Sequence, residues 1–232
     1  MNVDDQKRAA AAEAIKLVQP GMTLGLGTGS TAAHFIDLLG EKVSNGLSVI
    51  GIPTSEASSR QALSVGIELI QPDETTQIDL AIDGADEVGP GLTLIKGGGG
   101  ALLREKIIAE AAREFVVIAD ASKNLPQLGA FPLPVEIEDF AWALTIRRLR
   151  ETLTQQSYRT PALQIRATKT GEPFLSDGGN LIVDCKLERI KDPAALENGL
   201  RKLPGVIETG LFVGIANKVI IAGENGPETI TF

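Results

Sequence analysis

Cysteine and histidine are almost absent from this chain, with one of each, Cys185 and His34, in 232 residues. A single cysteine excludes an internal disulfide and fits a reducing compartment. One histidine and one cysteine cannot supply the ligand cluster of a zinc site, so no metal is expected. Cys185 lies in an apolar, strand-like run and reads as a core residue. Basic residues are outnumbered, 22 Lys and Arg against 30 Asp and Glu, which leaves a net charge of −8. That balance disfavours a nucleic-acid partner, whose binding rests on neutralising phosphates, so any phosphate ligand must be held by local donors. Also missing are an apolar run near the roughly eighteen residues of a membrane span and a charged-then-apolar signal pattern. The expectation is a cytoplasmic protein with no membrane partner. The apolar content, 43% beside 22% charged residues, suffices for a full core in one larger domain plus a small one.

The densest chemistry lies between Asp83 and Lys106, reading DGADEVGPGLTLIKGGGGALLREK. A buried-looking strand, Ile78 to Ile82, ends in two carboxylates three apart, Asp83 and Asp86. A short apolar strand, Leu92 to Ile95, ends in Lys96 and four glycines before a helix carrying Glu105. Open α/β sheets gather reactive groups outside the carboxyl ends of their strands, and both strands deliver charge there. Each glycine costs a regular element roughly 0.5 to 1 kcal/mol relative to alanine. Backbone amides without Cβ atoms can close around a ligand oxygen, and a following helix N-terminus adds partial positive charge. Gly97 to Gly100 therefore reads as an anion or oxyanion cradle rather than a flexible loop. On the helix, the face of Glu105 also holds Ala101, Leu102, Ile108, Ala109 and Ala112, with Leu103 and Ile107 opposite. A carboxylate in an apolar stripe is desolvated, which moves it towards a useful base. The alternative is a salt bridge to Arg104 or to a neighbouring element.

Upstream, Asp4 to Val18 reads as a helix ended by Pro20 and Gly21, with Lys7 at the end of its buried stripe. Lys7 either reaches a neighbouring loop or snorkels to solvent. Strand Met22 to Leu26 leads through Gly27-Thr28-Gly29-Ser30-Thr31 into a helix reaching about Leu39. Strand, glycine turn, hydroxyls and helix is a layout that surrounds a phosphate with backbone N–H and hydroxyl donors. Gly27, Gly29 and Ala32 match a dinucleotide fingerprint formally. The next strand, Leu47 to Ile52, ends in Pro53-Thr54-Ser55 rather than an acid for ribose hydroxyls, which argues against that use. His34 reads as structural. A helix Ser55 to Val65 and a strand Ile67 to Ile70 follow. Phe115 to Ala119 is a further buried strand, ending in Asp120-Ala-Ser-Lys123, where Lys123 either faces a phosphate or solvent.

From Phe131 the pattern changes to a strand at Val135 to Ile137, a helix Phe140 to Leu153, a strand Ala162 to Ala167 and a Ser176–Asn180 turn. Strand Leu181 to Cys185, helix Pro193 to Leu203 and a strand near Val206 to Leu211 follow. The expected fold class is α/β: a Rossmann-like, mostly parallel sheet domain with a smaller ferredoxin-like α/β lid domain. The expected boundaries are 1–130 plus 207–232 for the first and 131–206 for the second, with strand Lys218 to Ala222 returning to the first sheet.

These motifs resemble the type A ribose-5-phosphate isomerase family. The resemblance is carried by Gly27–Thr31, Asp83–Glu87, Lys96–Lys106, Ala119–Lys123, Ser176–Asn180 and Gly205-Val206 through Phe212, and so covers essentially the whole chain. It implies interconversion of D-ribose 5-phosphate and D-ribulose 5-phosphate with no cofactor, in a homo-oligomer with a dimer favoured. It further implies Glu105 as proton acceptor, with Thr28 to Thr31 (including Gly29 and Ser30), Asp83, Gly84, Ala85, Asp86, Lys96, Gly97, Gly98, Gly99 and Lys123 around the sugar phosphate; Lys7 joins them as a candidate from its place on the first helix. Asp83, Asp86 and Lys96 join Glu105 as the expected catalytic groups.

Overall fold

The computed structural model describes residues 1–231. Its strands are β1 (Thr23–Leu26), β2 (Ile50–Pro53), β3 (Glu68–Leu69), β4 (Leu80–Gly84), β5 (Glu87–Val88), β6 (Leu94–Ile95) and β7 (Phe115–Asp120), then β8 (Leu133–Ile137), β9 (Ala162–Ile165), β10 (Leu181–Lys186), β11 (Val206–Thr209), β12 (Leu211–Phe212), β13 (Lys218–Gly223) and β14 (Gly226–Thr231). Its α-helices are α1 (Val3–Ala14), α2 (Ser30–Ser44), α3 (Glu56–Ser64), α4 (Leu102–Ala111), α5 (Trp142–Gln155) and α6 (Pro193–Arg201). By internal contacts the chain forms two units. The first holds Met1–Ala85, Arg104–Asn124 and the residues from Gly214 onward, and the second holds Asp86–Leu103 and Leu125–Val213. The expected boundaries would keep 86–103 with the first domain, whereas its packing groups that segment with the second unit.

The first unit is built on a seven-stranded sheet in the order β14-β13-β7-β4-β1-β2-β3. All neighbours run parallel except β14, which folds back antiparallel on β13. Strands covered on both faces read as continuous apolar runs, and β7, Phe-Val-Val-Ile-Ala-Asp, is buried at every position. Leu24, Leu26, Ile82, Val116 and Ile118 pack against Ala10 and Ala14 of α1 and Phe35 and Leu39 of α2. Asn2 caps α1: its side chain accepts the Asp5 N–H while the Asp5 carboxylate accepts the Asn2 N–H. His34 Nε2 lies 3.0 Å from Asp4 Oδ1, a contact between α2 and α1. Strand order reverses between β1, which continues to β2 and β3, and β4, which continues to β7. In such sheets the crevice at that reversal is where ligands bind.

The second unit has four antiparallel strands in the order β11-β8-β10-β9. With α5 and α6 between them in sequence, this is the βαββαβ order of a ferredoxin-like fold. Leu133, Val135, Ile137, Val183 and Cys185 face Leu149 and Leu153 of α5 and Leu196 and Leu200 of α6. Cys185 is fully buried, and burial, with Asp184 beside it, pushes its thiol far above the ordinary range. Because the thiolate is the reactive form, a thiol reagent at pH 8 should leave the native protein unlabelled and react with one thiol after unfolding. Labelling of the native protein, measured by mass, would contradict this packing.

The segment expected as one strand, 206–211, divides. β11 pairs with β8, and β12 joins β6 and β5 in a separate three-stranded sheet. Gly210 stands at the division: its N–H donates to Pro134 O at 2.7 Å and its carbonyl accepts from Lys96 N at 2.8 Å. A Cβ there would lie 2.3 Å from the Lys96 carbonyl oxygen, so only glycine fits.

Candidate active site

In the first unit the site is built where β1 and β4 end. Gly27 N–H donates to Ile82 O at 2.9 Å, continuing the β1–β4 ladder one residue past the strand. The Asp83 Oδ1 atom accepts the N–H of Thr28 at 3.0 Å and of Gly84 at 2.7 Å. Asp83 is 3% exposed, and these two donors fix its orientation. Gly27 makes the approach possible, since a Cβ on it would fall 2.1 Å from Asp83 Oδ1 and 2.6 Å from Asp83 Cα.

Glu105 sits on α4 as the helical periodicity predicts. It is 4% exposed, its neighbours Ala101, Leu102, Ile108 and Ala109 are buried, and Ile107 on the far side is exposed. With Asp83 it borders a tight interior gap, too narrow for a water molecule, whose other walls include Gly25, Gly27, Thr54 and Phe115. Arg104, the ion-pair partner considered from the sequence, places Nη1 3.0 Å from Glu56 Oε1 on α3. Two carboxylates thus border one gap at the carboxyl ends of parallel strands.

Thr28, Gly29, Ser30 and Thr31 form the turn into α2, and Gly29 takes φ 107°, a backbone region open to glycine. The N-cap Gly29 offers no side chain to cap the fifteen-residue α2, and first-turn N–H groups have no acceptor within a helix. Thr28 Oγ1 lies within 2.8 Å of Thr54 Oγ1 and Ser55 Oγ, and 3.2 Å from Ser58 Oγ, so a hydroxyl cluster backs the turn. Ser58 Oγ in turn donates to Gly27 O at 2.6 Å. Lys7 Nζ donates to Ser30 Oγ at 3.0 Å, where the glycine turn enters α2. Beside it, Gln6 Oε1 accepts the Ala121 N–H at 3.3 Å, tying α1 to the 3₁₀ turn that carries the half-buried Lys123. Lys7, Ser30 and the Lys123 turn are therefore linked through one helix.

In the second unit, Asp86 Oδ2 accepts the Gly98 N–H at 2.7 Å. Lys96 is 2% exposed, with Nζ 5.4 Å from the centre of the Phe212 ring, an arrangement that favours a cation. Gly97 and Gly100 adopt φ 104° and 84°, and a Cβ on Gly98 would come 2.5 Å from Asp86 Oδ1. The glycines thus meet conformational and steric demands, while Gly98 and Gly99 stay exposed. Arg166 Nη1 donates to Gly97 O at 2.7 Å and Gly98 O at 3.1 Å, holding the turn from behind.

A family model described as ribose 5-phosphate isomerase A (phosphoriboisomerase A) matches residues 50–226. The chain belongs to the ribose 5-phosphate isomerase A family. It is 50% identical over 230 residues to the ribose-5-phosphate isomerase A of Parvibaculum lavamentivorans, covering 99% of each chain. Among solved structures it is similar to ribose 5-phosphate isomerase A from Methanocaldococcus jannaschii, at 40% identity and TM-score 0.90 over 98% of this chain and 99% of that one. It is also similar to a D-ribose-5-phosphate isomerase in complex with phospho-erythronic acid, at 39% identity and TM-score 0.91 over the whole of both chains.

For this member of the ribose 5-phosphate isomerase A family, sequence reasoning passed over two groups. The hydroxyls of Thr54, Ser55 and Ser58 follow β2, where Pro53-Thr54-Ser55 was weighed only as the lack of an acid. A Ser/Thr run at the carboxyl end of a neighbouring parallel strand was the available signal. Arg166 gave none, since an arginine after a short alternating strand is ordinarily a solvated surface residue. Among the described residues, no helix is long and apolar enough to cross a membrane, and no group of three or more His, Cys, Asp or Glu could hold a metal ion.

Proposed function

We propose that this chain interconverts D-ribose 5-phosphate and D-ribulose 5-phosphate by proton transfer between C1 and C2 through a cis-enediolate, with Glu105 as proton acceptor and without a metal ion. The observation that carries the reading is the buried Glu105, which shares one narrow interior gap with Asp83, the carboxylate that β4 delivers beside the end of β1. A carboxylate taken out of water is a stronger base towards a carbon acid than a solvated one. Glu105 removes the C2 proton of the open-chain aldose and returns it to C1. Lys96 and the Gly97 and Gly98 amides stabilise the oxyanion that develops meanwhile. Asp83 assists ring opening and relays hydroxyl protons. Asp86, which accepts the Gly98 N–H at 2.7 Å, gives it up to the oxyanion and positions hydroxyls or orients Lys96.

The phosphate is held by the Thr28 to Thr31 turn, Lys7 and Lys123, which present hydroxyls, helix amides and two ammonium groups. Gly84, Ala85 and Gly99 line the sugar. The protein works in the cytoplasm as a homo-oligomer, a dimer by preference, within the pentose phosphate pathway. Phospho-erythronic acid, present in one related structure, carries a planar carboxylate that matches two enediolate oxygens. It is expected to inhibit competitively.

The deciding experiment incubates purified protein with ribose 5-phosphate and a chelator in deuterated water. Formation of ribulose 5-phosphate with deuterium entering at C1 or C2 is the expected result, and a failure to form ketose rejects the reading. Lys123→Ala should mainly weaken substrate capture, raising KM about tenfold or more while kcat changes little, as loss of a charge-assisted phosphate contact does. An unchanged KM in steady-state kinetics removes Lys123 from the phosphate site.

A further inference from the structure

We infer that Arg166, locked by Asp184, is a positioning residue that aims the Gly98 and Gly99 amides for the isomerisation. This rests on the proposed reading of Gly97 to Gly99 as substrate contacts.

Arg166 follows β9, and its side chain is only 13% exposed. Its guanidinium meets Asp184 of β10 as a two-pronged fork, Nε to Oδ2 at 3.0 Å and Nη2 to Oδ1 at 2.6 Å. The fork fixes the plane of the guanidinium, and the remaining nitrogen, Nη1, then has a defined direction. It bonds the carbonyls of two successive glycines, Gly97 and Gly98. The main chain around the arginine is tied as well, Arg166 N–H donating to Ile182 O and Arg166 O accepting from Phe174 N, both at 2.8 Å. The Phe174 ring lies 6.0 Å from the guanidinium carbon, and its edge closes against Gly100, where a Cβ would be 2.5 Å from the ring.

The consequence follows from the geometry of a trans peptide, the only kind in this chain's described residues. The six atoms of the unit are coplanar, and the C=O of one residue points opposite to the N–H of the next. Holding Gly97 O therefore turns the Gly98 N–H to the side away from Arg166, where it meets Asp86 Oδ2. Holding Gly98 O turns the Gly99 N–H away from Arg166 in the same manner. Glycine peptides would otherwise rotate among many conformations, since nothing on Cβ restricts them. Donation from a cation also polarises each amide, making its N–H a better donor to an anion. Asp184, Arg166, the two glycine peptides and Asp86 form one chain of bonds that ends on a residue proposed to contact substrate.

The arrangement acts on charge that develops during reaction, so its loss should appear mainly in kcat. Arg166→Met should lower kcat about 10- to 100-fold, with KM for ribose 5-phosphate within about threefold, because misaimed donors cost less than deleted ones. Arg166→Lys, a cation that cannot make the fork, should fall between Met and the parent. Asp184→Asn should lower kcat in the same direction, and these two variants keep the test alive if the Met variant fails to fold. The second readout is the amide ¹H and ¹⁵N resonances of Gly98 and Gly99 with and without saturating ribose 5-phosphate.

A response of both amides in the parent that is lost or altered in the folded Arg166 variants, together with the fall in kcat, is the expected outcome. If the parent amides respond but folded Arg166 variants keep kcat within twofold and show the same response, the arginine only braces the loop and the inference is overturned. If the parent's own Gly98 and Gly99 amides ignore the substrate, the reading of the glycines as contacts is wrong, and the role of Arg166 falls with it.

Discussion

Replacing Glu105 by Gln is expected to abolish turnover while the protein still binds ribose 5-phosphate. The amide preserves the volume and much of the polarity of a side chain that is 4% exposed, so the stripe around it should stay packed. What disappears is the capacity to accept a carbon-bound proton. A positioned general base contributes about 10² to 10⁴ in rate, and in the proposed mechanism Glu105 would act twice, once at each carbon. The loss in kcat should therefore reach about 10³ or more. Calorimetric titration checks the binding half of the expectation, where a dissociation constant near the parent KM separates lost chemistry from lost structure. Deuterium exchange into the substrate should vanish with turnover. A variant that still exchanges label would transfer the role of base to another group, with Asp83 the first candidate at the same gap.

The second large effect is expected at Gly27, where Ala should both destabilise the fold and disable the site. The added methyl meets Asp83 at its carboxylate and also at its Cα, 2.6 Å away, so rotating the aspartate side chain cannot relieve the clash. The ends of β1 and β4 would have to separate at the place where Gly27 N–H bonds Ile82 O. Overpacking of this kind costs about 1 to 3 kcal/mol or more. For a chain of this size that lowers Tm by about 2 to 4 °C per kcal/mol. Activity should fall further than stability, because the Thr28 and Gly84 amides that hold Asp83 move with the strand ends. Gly223→Ala is the matched control: its nearest Cβ neighbour, on Ala121, would be 3.6 Å away, an ordinary contact. Thermal unfolding of the two variants side by side decides the matter. Equal Tm values would mean that the close approach at Gly27 is not a constraint.

Much of this architecture was legible because periodicity and punctuation agreed. The alternation of apolar runs with helices gave the parallel sheet, and the central strands β4 and β7 came close to their expected bounds because burial on both faces leaves a continuous apolar signature. The stripe around Glu105 was readable from helical spacing alone, since one face of a ten-residue helix is a local property. The elements that escaped notice are short or long-range. β5 has two residues, too few for a period, and exists by pairing with β6, the one half of the expected Leu92 to Ile95 strand that forms, which in turn pairs with β12 more than a hundred residues later. β14 carries Gly226 and Pro227, which argue against a strand, yet an edge strand tolerates proline because one side of its ladder is unpaired. α2 ran beyond Leu39 to Ser44 because a glycine at position 40, against which Val65 packs, does not end a helix whose neighbour needs the space. Among the site residues, carboxylates and glycines stood out by type and spacing. The hydroxyl cluster of Thr54, Ser55 and Ser58 and the grip of Arg166 on Gly97 and Gly98 depend on distant segments meeting, which no local window contains.

Gly210 has a mechanical consequence. One residue belongs to two ladders, giving its N–H to Pro134 on β8 and its carbonyl to the backbone of Lys96. No slack exists between those bonds, so the lysine's main chain cannot shift register while β8 stands still. A ligand, neighbour or substitution that slides β8 drags Lys96 along with it.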